Sequence, residues 1–317
     1  MYKVSIVVPV YNAEKNMDIC IRSLTEQTFR DFEIVFVNDG STDNSLHVLE
    51  QANFKEIPVQ ILSQHNQGQG AARNHGVRNS KGEFICFVDI DDYVEREMLE
   101  KMVAEQARTE ADIVWSDAYV IKKQECIGYL NDHMIEESDP CKCFFLNNAG
   151  PWRKLIRTRL FTENNLWFPT IRFYEDVAVV PSYALYATKI AYLTEPLYDY
   201  VLHEGSTMHQ KAYDMRLEDI FPALENLRNQ IQTARMLQKY IQCLEYLYID
   251  HLLHAASLRF YPFEKGKFQM ERIRSVMRKE FPNWKNNVYY RQKNWRYRLV
   301  CSLLYQGNYW MLSKLLK

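Results

Sequence analysis

The sequence predicts an α/β protein, a largely parallel sheet covered by helices, followed by a helical C-terminal region. Three observations predict it. Short β-branched runs alternate with helical segments through the first 120 residues. Each early run ends abruptly in polar residues. After residue 210 the text turns to apolar residues at three- and four-residue intervals, the spacing of buried helix faces.

The strands are expected at Val4–Val8, Ile34–Val37, Val59–Leu62, Phe84–Val88 and Ile113–Val114, with helices at about 14–28, 43–53, 69–79 and 95–108. The run DGSTDNS places Ser, Thr and Asp where the second helix should begin. Residues 121–210 are less regular, with a helix expected near 175–187 and strand pieces at 190–193 and 197–202. In the C-terminal part, LQKYIQCLEYLYIDHLLHAASLRF spaces its apolar residues as a buried helix does. Two units follow, 1–210 and 211–317, the first changing texture near residue 120.

Of the 317 residues 47% are apolar and 25% charged, an ordinary globular composition. The net charge of −1 gives no bias toward nucleic acid, but its distribution is uneven. Residues 1–210 hold 20 Lys and Arg against 31 Asp and Glu, while residues 211–317 hold 19 against 9. An acidic body of −11 is thus joined to a basic tail of +10. The seven scattered cysteines are expected to be free thiols in a reducing compartment. Pro9 and Asn12 interrupt the N-terminal apolar stretch, which reads as neither a signal peptide nor a membrane span, and a cytoplasmic location is expected.

In an open α/β sheet, ligands gather at the carboxyl ends of the strands. Here those ends run into PVYN, NDGS, SQHNQGQGAARN and DIDD, four decorated ends converging on one crevice. The last poses a physical problem, because Asp89, Asp91 and Asp92 repel one another unless a cation relieves them. Oxygen-only ligands suit Mn²⁺ or Mg²⁺. GQGAAR resembles a dinucleotide fingerprint but follows the third strand and has Arg73 where a third small residue belongs, which counts against a nicotinamide oxidoreductase.

The motifs VSIVVPVYNAE, VNDGSTDNS, NQGQGAARNHG, FVDIDDYV and FYEDVAVV resemble, in order and spacing, those of family 2 glycosyltransferases with the GT-A fold. The resemblance covers residues 3 to about 207 and implies an inverting transfer from a nucleotide sugar, a UDP-sugar above all, to a glycan or lipid-linked acceptor. It implies that Pro9 and Tyr11 wall the base, that Asn12 binds the nucleotide, that Asp39 reads the uracil, and that Arg73 faces the nucleotide. It makes Asp91 the direct metal ligand and places Asp89 at the ribose or a metal-bound water; Asp92 joins this cluster or caps the following helix. Asp176 becomes the general base and Glu175 its neighbour in positioning the acceptor.

In YDYVLHEGSTMH, His203 is offered as a metal or diphosphate ligand and Ser206 as a phosphate contact, although Val201 and Leu202 replace the family's Arg-rich text. Trp152 is offered as a sugar platform and Lys154 as a phosphate contact, with packing and surface charge as the alternatives. A binding module that has lost turnover is the remaining competing reading. The basic tail, 13 Lys and Arg against two acidic residues over 265–317 with Trp, Tyr and Leu between them, fits a helix in an anionic membrane interface or a packed helical unit with a basic rim.

Overall fold

The computed structural model describes residues 2–131, 135–147, 149–202 and 213–316. The chain opens with β1 (Tyr2–Val10), α1 (Met17–Thr25), β2 (Phe32–Asn38), α2 (Ser45–Gln51), β3 (Val59–Ser63), α3 (Gln69–Asn79) and β4 (Gly82–Phe87). There follow β5 (Tyr93–Val94), α4 (Met98–Thr109), β6 (Ile113–Lys122), β7 (Glu125–Leu130), α5 (Pro140–Leu146), β8 (Lys154–Arg157), α6 (Arg159–Glu163) and β9 (Ile190–Val201). The expected strands and helices of the first 120 residues are all present, most within a few residues of their expected ends, but β6 runs eight residues past Val114 and β5 was not expected.

One nine-stranded sheet runs β3-β2-β1-β4-β8-β6-β9-β5, with β7 paired to β6. The first four strands of that order are parallel, β8 alone runs against its two neighbours in the middle, and β9 is parallel to β6. Strand order reverses about β1, flanked by β2 and β4, so the crevice of an α/β sheet opens above the ends of those strands.

Alternation along β1 separates two cores. Val4, Ile6 and Val8 pack with Met17, Cys20 and Leu24 of α1 and with Met98, Leu99 and Met102 of α4. Val7 faces the other way, into a core that passes under α3 and continues without a break through Phe145, Tyr183 and Tyr240 into the C-terminal helices.

Those helices are α7 (Ile220–Thr233), α8 (Leu237–Leu247), α9 (Ser257–Phe260), α10 (Gly266–Glu280), α11 (Val288–Gln292), α12 (Trp295–Gln306) and α13 (Tyr309–Leu315). A π-helical segment, Tyr248–Ala256, joins α8 to α9 in one continuous rod. Residues 243–249 are all buried across the junction, so the rod is enclosed on every side there, as a helix apolar all round must be.

Three expectations are corrected. Residues 175–187 form a turn and then a 3₁₀ helix, Val180–Leu185, because Pro181 lacks the N–H that an α-helix would use there. The two strand pieces near 190 and 197 are one strand, β9, with an irregularity where β6 shifts register at Ser116 and Asp117. No side chain caps α2 at Asn44; Asp43 instead accepts from the Ser45 backbone N–H at 3.0 Å. All seven cysteines are free, as expected.

Candidate active site

The ends of β1 to β4 do meet. After β1, Tyr11 leaves its ring half exposed, and Asn12, at φ 48°, accepts the Thr42 N–H at 2.8 Å while its own N–H donates to Ser41 at 3.1 Å. Pro9 is buried within the strand. After β2, Asp39 is 2% exposed. Its carboxylate accepts from Gln64 Nε2 at 2.8 Å, Gln67 N at 2.9 Å and Gly68 N at 2.8 Å, so it ties down the loop after β3. Gly40 makes that approach feasible: at φ 70° a Cβ would lie 2.8 Å from the Asn66 backbone nitrogen.

From α3, Arg73 reaches across the crevice. It is 1% exposed, yet its guanidinium donates to Glu175 Oε1 and Asp89 Oδ1, both at 2.8 Å, and to Gln69 Oε1 at 3.2 Å. Burial works against its charge, but Asp89 and Glu175 outweigh burial and hold it firmly protonated. Glu175, 2% exposed, is subject to opposing influences. Burial and neighbouring Asp176 outweigh Arg73 despite the close ion pair, and its carboxyl is pushed up to about 7. Gly70 allows the contact, since a Cβ there would meet Glu175 Cγ at 3.0 Å and Phe168 Cβ at 3.1 Å.

The acidic run divides its labour. Asp89 is partly exposed, and Asp91 is exposed at the tip of the turn. Asp92 is 3% exposed and turns inward. It caps no helix, because Tyr93–Val94 is a strand and α4 begins only at Met98. Instead it accepts from the Tyr198 hydroxyl at 2.7 Å and the Val201 N–H at 2.8 Å, fixing the end of β9. Burial, then Asp91 and Asp89, push its carboxyl well above the usual range.

Tyr198 also accepts the Asp89 N–H at 3.1 Å, and its ring lies 5.0 Å from that of Trp152, which stacks on Tyr200 as well, at 5.3 Å. Trp152 is thus packed behind the acidic turn. Lys154 is 1% exposed and donates to the Gly150 carbonyl at 2.5 Å, so it contributes no surface charge. His203 and Ser206 lie outside the described residues.

The turn with Glu175 and Asp176 is held from the C-terminal region. Asp219 Oδ2 accepts the backbone N–H groups of Arg172 at 2.9 Å and Phe173 at 3.1 Å. Arg259 donates to the Tyr174 hydroxyl at 2.7 Å and lies over that ring at 5.5 Å, with Tyr174 at φ 62°. Arg172 reaches back to the Asn66 side chain at 2.5 Å, joining the turn to the loop that Asp39 holds. Asp219 and Arg259 lie outside every motif, and Tyr174 and Tyr198, though within FYEDVAVV and YDYVLHEGSTMH, were not singled out there, because each acts on residues remote in sequence.

The profile of glycosyl transferase family 2 matches residues 5–175, more than half of the chain and the part that supplies the four strand ends, Arg73 and Glu175. The chain belongs to that family. The transferase is 30% identical to glycosyltransferase GlyG of Streptococcus pneumoniae serotype 4 over 271 residues, covering 77% of this chain and 89% of that one. It is also 30% identical to the putative glycosyltransferase EpsH of Bacillus subtilis, over 78% of this chain and 74% of that one. Among solved structures it is similar to S. aureus TarS residues 1–349, with TM-score 0.70, 23% identity, and coverage of 96% of this chain and 92% of that chain. The same TarS fragment has been solved with UDP-GlcNAc, TM-score 0.61. The transferase therefore has the expected GT-A fold with a C-terminal helical region, and the oxidoreductase alternative falls.

Proposed function

We propose that the transferase moves a sugar from a UDP-sugar to a hydroxyl of a glycan or glycolipid acceptor, with inversion at the anomeric carbon. The observation that carries this reading is the Arg73 bridge: one buried guanidinium ties Asp89, at the end of β4, to Glu175, beside Asp176. It binds the donor-side carboxylates and the acceptor-side carboxylates into one unit across the crevice. Tyr11 offers an exposed aromatic face for a base, and Asp39 shapes the loop beside it.

In this reading Asp176 accepts the proton of the acceptor hydroxyl. The freed oxygen attacks the anomeric carbon, and the bond to the diphosphate breaks with its electron pair leaving on UDP. Glu175, its carboxyl raised by burial and Asp176 and held by Arg73, keeps the turn in place beside the acceptor. Among the described residues no three His, Cys, Asp or Glu side chains form a closed metal cage. The oxygen ligands of the acidic turn would suit a Mn²⁺ or Mg²⁺ ion, with Asp91, exposed at the turn, as the residue that would hold it and Asp89 beside it. Such an ion would neutralise charge building on the leaving diphosphate.

Asp176→Asn should lower kcat by about 10²-fold or more, the usual worth of a general base, while UDP affinity measured by calorimetry stays within about twofold. Loss of UDP binding in that variant would overturn the base assignment. A wild type that binds UDP-sugars and neither hydrolyses nor transfers any of them would favour a module without turnover.

The tail supports a peripheral contact with an anionic membrane at the cytoplasmic face. Among the described residues no helix is long and apolar enough to cross a bilayer. Trp295, Trp310, Met311 and Leu316 are nevertheless exposed. Lys314 lies 3.8 Å over the Trp310 ring. Exposed Trp among Lys and Arg is the composition of an interfacial surface.

A further inference from the structure

Four strands each contribute one residue to a single cross-strand row. Tyr93 of β5 pairs with Asp199 of β9, Asp199 with Tyr119 of β6, and Tyr119 with Tyr129 of β7. Residues directly opposite one another in a sheet share a face. The adjoining row, Val94, Tyr198, Ala118 and Leu130, packs into the core on the opposite face. Tyr93, Asp199, Tyr119 and Tyr129 therefore line the outer face, across three interstrand spacings or about 14 Å.

The row is neither apolar core nor ordinary surface. Tyr129 is 63% exposed, and its ring centroid lies 5.2 Å from that of Tyr119, the planes inclined at 46°. Asp199 is 4% exposed, and no hydrogen bond to its carboxylate is present among the described residues. Its oxygens are not among the buried atoms without a partner, so they reach the surface of the row and can be met from outside. Burial, then Glu95, push its carboxyl up to about 7, and its charge is felt by both the Tyr93 and Tyr119 hydroxyls. The row also adjoins the donor site. Tyr93 directly follows Asp92, and Asp92 holds the Val201 N–H two residues past Asp199.

We propose that this row is an acceptor subsite for an uncharged saccharide. Tyrosine rings offer apolar faces to the C–H side of a sugar ring and hydroxyls to its rim. A sugar hydroxyl could donate to the open side of the Asp199 carboxylate, where none of the described residues does. Asp199 and exposed Glu95 place negative charge along the face, which disfavours a phosphate-bearing polymer; the hairpin's cations, Lys122 and Lys123, sit at its tip beyond the row. This deepens the transfer reading above and rests on it.

The test uses the full chain saturated with UDP and four uncharged probes: cellotetraose, chitotetraose, maltotetraose and β-1,4-galactotetraose, with a glycerol phosphate oligomer as the charged control. Binding is read by saturation-transfer NMR in wild type, Tyr129→Ala and Asp199→Asn, with UDP affinity by calorimetry reporting the intact donor site. At least one tetrasaccharide should bind wild type and weaken tenfold or more in Tyr129→Ala, with UDP affinity within twofold. Asp199→Asn should weaken it less, since the amide retains one acceptor oxygen. The subsite is overturned if UDP binds but no tetrasaccharide does, if Tyr129→Ala binds saccharide as wild type does, or if the phosphate oligomer binds in its place. Absence of UDP binding in wild type sinks the donor reading and the subsite with it.

Discussion

Arg73 is 1% exposed with Asp89 on one side and Glu175 on the other, so it serves first to hold carboxylates together. Its surroundings also set a pH dependence. The carboxyls of Glu175 and Asp199 are both pushed up to about 7, from ordinary values of 4.5 and 3.8. Between those limits the folded protein holds protons that the unfolded chain has released, so stability falls as pH rises through that window. Asp112 acts oppositely: burial pushes it up, but Thr188 and Arg159 bring it down to about 2, and its contribution is lost only in acid. The melting temperature should therefore decline from about pH 5 to about pH 8, and Asp199→Asn should remove part of that decline. A wild-type-shaped profile in Asp199→Asn, measured by calorimetric scans across that range, would count against the raised carboxyl.

The turn at Tyr174–Asp176 belongs to no regular element, and its conformation is imposed from outside. Gly70 of α3 lets it approach, and Asp219 and Arg259 of the C-terminal region hold its backbone and its tyrosine. An element so tethered should lose catalytic geometry before it loses substrate. Asp219→Ala deletes the acceptor of two backbone N–H groups and is expected to lower kcat by roughly 10- to 10²-fold, the scale of an ångström-sized misplacement, with UDP affinity little changed. Asp219→Asn, which keeps an acceptor oxygen, should restore most of the loss. Steady-state kinetics beside calorimetry separates this from global unfolding, which would reduce both.

Over the whole molecule, charge and packing divide along different lines. The acidic body and the basic tail differ by 21 charges, −11 against +10, yet one apolar core runs from Val7 under the sheet to Leu312 in α13. The tail is thus packed against the catalytic part, and only its outer side, with Trp295 and Trp310, is left for a partner. Co-sedimentation with phosphatidylglycerol vesicles is expected, with little on phosphatidylcholine and loss at about 0.5 M salt, where screening shortens to a few ångströms. Trp310→Ser should reduce the bound fraction several-fold; equal sedimentation of variant and wild type would remove the membrane contact from the scheme.

Much of this was legible in the chain alone, for a physical reason. Strand and helix periodicity in the first 120 residues, and the polar residues ending each strand, are local patterns, and local sterics and alternation fix what they become. The crevice at the strand ends follows from them, and the family from the resemblance of the five motifs. The roles within the crevice were not legible. Asp92 has the same text as Asp91 and differs only because Tyr198 and Val201 arrive from 106 and 109 residues away. Arg73 becomes a bridge through Glu175, 102 residues distant, and the row from Tyr93 to Tyr129 exists only once four strands are in register. The sequence by itself determined which elements form and which chemistry gathers at their ends. Only the tertiary structure decided which carboxylates are buried, which are paired and which stay open, because burial and pairing depend on neighbours that chain order does not name.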